Sequence, residues 1–89
     1  MLKIDVSRGS DNEVWRLAAS DWARANGLDP DSIPAESVIT VDEAARTITA
    51  EVWERDDGGK LVLDKENPNR VATRTVTVPL VTDFPEPLR

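Results

Sequence analysis

The sequence predicts an α+β fold, one amphipathic helix packed on a three- to five-stranded antiparallel sheet. Residues 1–82 are expected to form a single domain, and residues 83–89 an extended, Pro-containing tail. Two observations carry this reading. Apolar residues recur at helical spacing in one stretch, residues 11–26, and at a spacing of two through most of the chain beyond it. Turn signals separate the period-two stretches, and the arrangement that fits is a sheet with the helix covering one face.

Leu2, Ile4 and Val6 alternate with Lys3 and Asp5 as a short strand, and Ser7-Arg8-Gly9 breaks it. Ser10 with Glu13 three residues on reads as a capping box, and Asp11 adds negative charge to the first helical turn. At ~100° per residue, Val14, Trp15, Ala18, Trp22 and Ala25 share the packing face, and Arg16, Ser20 and Arg24 lie opposite. Asn26-Gly27 supplies the C-terminal stop, with Leu28 packing back on the last turn. Asp29 then caps a single 3-10 turn that has Pro30 in first position.

From there the period is two. Val38–Val41 and Arg46–Arg55 read as strands joined by Asp42-Glu43-Ala44-Ala45. Asp57-Gly58-Gly59 turns the chain into Leu61-Val62-Leu63, residues 64–69 form a loop, and Arg70–Val81 is the last long strand. Pro79 removes a ladder donor, so this strand belongs at an edge or ends there. Such an edge is either open to a partner strand or closed to one by the proline. The tail Asp83-Phe84-Pro85-Glu86-Pro87 cannot continue a sheet and is expected to lie extended across the surface.

The alternation separates two sheet faces. Ile48, Ala50 and Val52, with Val76, Val78 and Leu80, face the helix. The opposite face carries Thr47, Thr49, Glu51 and Trp53, with Thr73, Thr75 and Thr77 beside them. A threonine-rich face tolerates water, but an indole buries ~150–250 Å² when covered. Three covers are open for Trp53: its own tail through Phe84, Pro85 and Leu88, a partner or second copy of the chain, or solvent alone. These seven residues are the candidate partner-binding site.

The chain holds no histidine, no cysteine and no tyrosine. That removes the commonest general base and metal ligand, and the strongest nucleophile. The acidic pairs Asp29/Asp31, Asp42/Glu43, Asp56/Asp57 and Asp64/Glu66 offer hard ligands for Mg²⁺ or Ca²⁺. Each, however, falls at a predicted turn, where Asp is favoured for backbone reasons. No catalytic, cofactor or metal residue is therefore assigned. The net charge of −6, from 17 acidic and 11 basic residues, argues against nucleic acid or an anionic membrane as partner. No apolar run approaches the ~20 residues that span a bilayer, and the start of the chain carries no signal-peptide pattern. A cytoplasmic location is expected.

The hairpin VDEAARTITAEVW, within Val38–Gly59, and the later RTVTVPL strand are similar to segments of small uncharacterised proteins of actinobacteria and their phages. The high Asp, Arg, Thr, Val and Ala content agrees with a GC-rich genome. The resemblance covers about the last half of the chain, contains no catalytic motif and implies only a source and a size class. The expectation is a small, phage-encoded, non-enzymatic accessory protein that binds another protein. The alternatives are a minor virion or homo-oligomeric structural protein, with a homodimer as its simplest form, and a small metal-dependent enzyme.

Overall fold

The period-two stretches pair in simple chain order. In the computed structural model, which describes all 89 residues, β1 (Leu2–Asp5), β2 (Val38–Asp42), β3 (Thr47–Trp53) and β4 (Thr73–Pro79) form one antiparallel sheet, ordered β1-β2-β3-β4. One α-helix, α1 (Glu13–Ala25), packs on one face of it. The α+β architecture is as the periodicity predicts, with four strands. β1 and β4 are the two edges, which places the proline-bearing strand at an edge.

The helix stop is a Schellman motif. The Leu28 N–H donates to the Ala23 carbonyl at 2.9 Å and the Gly27 N–H to Arg24 at 3.1 Å. Gly27 has φ +82°, the left-handed conformation that this cap needs and that a Cβ disfavours. Leu28 folds back into the core, 5% exposed.

The helix start differs from the capping-box expectation. Asp5 accepts from the Ser7 amide and hydroxyl and opens a 3-10 helix, Val6–Ser10, which uses up Ser10: its hydroxyl donates to the Ser7 carbonyl. The cap passes to Asn12, whose Oδ1 accepts from the Trp15 amide at 3.0 Å.

The packing face is also rotated, by roughly a quarter turn at 100° per residue. Trp15, Trp22, Ala23 and Asn26 are buried and Ala19 is half-buried, whereas Val14 is 78% exposed and Ala25 is exposed. Trp15 and Trp22 sit at the margin of the stripe because the C-terminal segment docks against them.

That segment does not lie across the surface as expected. Phe84 is buried, edge-on to Trp22 (4.9 Å between centroids) and to Trp15 (6.4 Å). The Trp22 indole donates to the Thr82 carbonyl at 2.8 Å and the Trp15 indole to Leu88 at 2.9 Å. Asn26 fills its hydrogen-bonding capacity here. Its Oδ1 accepts from the Val81 and Thr82 amides, and its Nδ2 donates to the Trp22 and Thr82 carbonyls. Arg46, left-handed at φ 55° in the β2–β3 turn, reaches Asp83 at 2.7 Å and the Leu80 carbonyl at 3.1 Å. A short 3-10 turn, Glu86–Leu88, ends the chain.

Phe84→Ala removes the central ring of this cluster, a change that costs about 3–5 kcal/mol in a packed core. A chain of this size has ~4–13 kcal/mol in all, so thermal denaturation should show a Tm drop of more than about 15 °C. A drop of a few degrees would mean that the tail is not part of the core. Asp5, fully exposed, has its pKa lowered below the usual 3.8 by the Ser7 hydroxyl and amide, then by Arg8. Its contribution is present above the unfolded value and fades as pH falls through the folded one. Carboxyl-detected NMR should find Asp5 titrating below 3.8.

Candidate functional site

With the helix and tail on one side, the other side of the sheet has no covering element. Antiparallel partners share a face, so the registers give its rows directly. Lys3, Thr40, Thr49 and Thr77 form one row; Asp42, Thr47 and Pro79 a second; Asp5 and Val38, then Glu51 and Thr75, a third. Trp53 and Thr73 close the face at the far end of β3. All seven candidate residues therefore lie together. Thr47, Thr49, Trp53 and Thr73 are half-buried, and Glu51, Thr75 and Thr77 are exposed. The Thr49 and Thr77 hydroxyls bond across the strands at 3.3 Å, and the Thr73 hydroxyl donates to the Glu51 carboxylate. These bonds stiffen β-branched side chains that are already restricted at χ1.

Trp53 is the exception on this face. Of the three possible covers, the tail is not the one: Phe84 and Leu88 are committed to the core on the helix side. Trp15 and Trp22 both donate their indole N–H to tail carbonyls, whereas the Trp53 N–H has no partner within the chain and is not enclosed. Strand twist at the end of β3 brings it to the margin of a hollow that it shares with Leu28, Val52 and Arg55, which accounts for its partial burial.

Beyond Trp53 the sheet splits. The Glu54 amide still donates to the Ala72 carbonyl at 2.8 Å, but Val62 then inserts, donating to Glu54 and accepting from Ala72. The segment expected as a strand, Leu61–Leu63, survives as two isolated bridges, Arg55–Leu61 and Leu63–Val71. Those bridges align Leu61, Leu63 and Val71 on one side of the extension, and the pleat carries that side on from Trp53 and Thr73. Leu61 is 45% exposed and Leu63 56%. An apolar corner thus adjoins the indole. Sequence reasoning missed it, although the Leu-Val-Leu alternation inside an otherwise polar hairpin is a visible signal.

The acidic pairs are used locally. Asp29, Asp42, Asp56 and Asp64 each accept from a backbone amide two to four residues on, and no three acidic side chains converge.

The β4 edge forms a second surface. Glu54 bonds Ala72 and Leu80 bonds Arg46, so the even-numbered residues of β4 point their amides at β3. Thr73, Thr75, Thr77 and Pro79 turn outward, and the donor that proline lacks is one that a partner strand would have used. Pro79→Val restores it. Analytical ultracentrifugation should then show concentration-dependent association beyond that of wild type; unchanged sedimentation would deny that the proline guards this edge.

Comparison with protein-family models, curated proteins and solved structures finds no match to this chain.

Proposed function

We propose that this chain acts by binding another protein through the uncovered face of its sheet, with Trp53 as the anchor and Leu61 and Leu63 extending the apolar contact. One observation carries the reading: of three tryptophans, two are buried with their N–H groups bonded, and the third stands half-open with a free donor beside exposed leucines. Tryptophan is among the residues most enriched where binding energy concentrates, and charged residues are depleted there. The threonine rows supply flat complementarity at low entropic cost rather than energy.

Area sets the strength. Four strands ~4.8 Å apart, of four, five, seven and seven residues at ~3.3 Å per residue, give a face of roughly 350 Å². A standard interface takes about 800 Å² from each partner. The face therefore needs the Leu61–Leu63 corner, and even with it the complex belongs to the smaller, transient class. In this reading the chain carries no reaction of its own.

The test is affinity capture from source-cell lysate with four baits: wild type, Trp53→Glu, Leu63→Glu and Val14→Glu, the last altering an exposed valine on the helix. A protein retained by wild type and Val14→Glu but lost with both other variants supports the face as the docking surface. Identical captures on all four baits overturn it. A wild-type mass above 9.8 kDa in light scattering, restored to monomer by Trp53→Glu, would make a second copy the occupant.

A further inference from the structure

On the helix side, the core leaves a cleft open. It lies between α1, the Val6–Ser10 and Pro30–Ser32 turns and the β1–β2 end of the sheet, and measures about 250 Å³. Trp15, Trp22 and Phe84 form its aromatic wall, with Ile4 and Ile39 as its floor. All five side chains are buried in the core cluster, so packing fixes the walls and the cleft is preformed. Small residues make the room: Ala19 and Ala23 on the helix, and Ala35 across from them. The cleft cannot close by sliding the first turn toward α1, because the two already touch. A Cβ at Gly9 would lie 3.0 Å from the Cβ of Arg16.

The rim is polar and uneven in charge. Ser10, Arg16 and Ser20 line one side, and the Arg8 guanidinium sits 5.0 Å over the Trp15 ring nearby. Asp31 stands on the other side. Arg16 is the one cationic side chain lining the cleft, and Arg8 adds positive charge nearby, in a chain of net charge −6. The Arg16–Glu13 pair, 3.7 Å apart and exposed at both ends, holds Arg16 only weakly.

We propose that this cleft binds a small aromatic monocarboxylate, its ring against Trp15, Trp22 and Phe84 and its carboxylate at Arg16 and Ser20. Volume selects the size. A dry cavity of ~150 Å³ takes one benzene ring, so about 250 Å³ takes a ring with a short side chain and excludes a long acyl chain. Charge selects the class: Arg16 attracts the carboxylate, and Asp31 repels it from the opposite lip. Expulsion of poorly bonded water from an apolar, preformed site favours the ring's entry. The cleft and the Trp53 surface lie on opposite faces of the sheet, so this assignment is independent of the docking reading.

The test is a ¹H–¹⁵N NMR titration of the full chain with 3-phenylpropionate, 3-phenylpropan-1-ol and 3-phenylpropylamine. Saturable shifts are expected at Ser10, Ala19, Ser20 and Asp31, with the acid about fivefold tighter than the alcohol, the scale of one exposed charge contact, and the amine weakest. Ala19→Leu fills the cleft and should abolish saturation. Ala35→Leu does so from the opposite wall should the helix variant misfold. Arg16→Gln should level the acid and the alcohol. Absence of saturation with all three probes, shifts centred on Trp53 and Leu63, or wild-type binding by a folded cleft-filling variant would overturn the site. Equal affinity for acid and alcohol in the wild type would overturn the carboxylate assignment.

Discussion

Phe84, set edge-on between Trp15 and Trp22, is the contact on which the other packing depends. A 13-residue helix is marginal by itself in water, and its stability comes from burying an apolar face. Here that face consists largely of two indoles, each with an N–H that must find an acceptor once dry. The carbonyls of Thr82 and Leu88 supply both, 60 and 73 residues further along the chain. Asn26, at the helix end, receives the same segment through three hydrogen bonds. The helix is therefore held by the sheet on one side and by the C-terminal segment on the other.

This long-range dependence separates what was legible in the sequence from what was not. Strand positions, the two faces of β3 and the Schellman stop rest on local chemistry: alternation, and a glycine placed one residue past the cap. They emerge much as the residues imply, with the last strand shorter than expected. The helix start failed for a local reason as well. Asp5 captures Ser7 and draws the chain into 3-10 turns, so Ser10 is consumed before the α-helix begins and Asn12 takes over. The rotated packing face has a non-local cause. Val14 satisfies the helical period as well as Ala19 does, and only the position of residues 81–88 decides between them. Proline-rich composition suggested a surface path for those residues, but a single phenylalanine among them outweighs it by the area it buries.

The candidate site divides in the same way. Thr47, Thr49, Glu51, Trp53, Thr73, Thr75 and Thr77 share a face because the pleat has a period of two, which the sequence displays. Leu61 and Leu63 join them only through the split beyond Trp53, where Val62 inserts between the diverging ends of β3 and β4. The Leu61-Val62-Leu63 run shows in the sequence, but the side it joins is decided only by the two isolated bridges. The three tryptophans, similar in sequence, part ways for a structural reason: two lie where the tail can offer carbonyls, and Trp53 lies on the side the tail does not reach.

If the open face docks a partner, as proposed, it must avoid indiscriminate association while remaining able to bind. Threonine serves both ends, since its hydroxyl accepts water and its branched Cβ holds the face flat and rigid. Edge pairing is the cruder route to association, because backbone groups do not discriminate among partners. On β4 that route is narrowed by Pro79, which removes an outward donor, and at the other end by the split, which diverts residues 71–72 to Leu61–Leu63. With the edge restricted, the proposed docking would draw its selectivity from side chains on the face. There the apolar area is concentrated at one end, around Trp53, Leu61 and Leu63. A partner that matched only the threonine rows would gain little, and one that covered the indole and the leucines would gain most of what this surface can give. In the docking reading proposed above, a preference for the face over the edge follows from where the proline and the tryptophan stand.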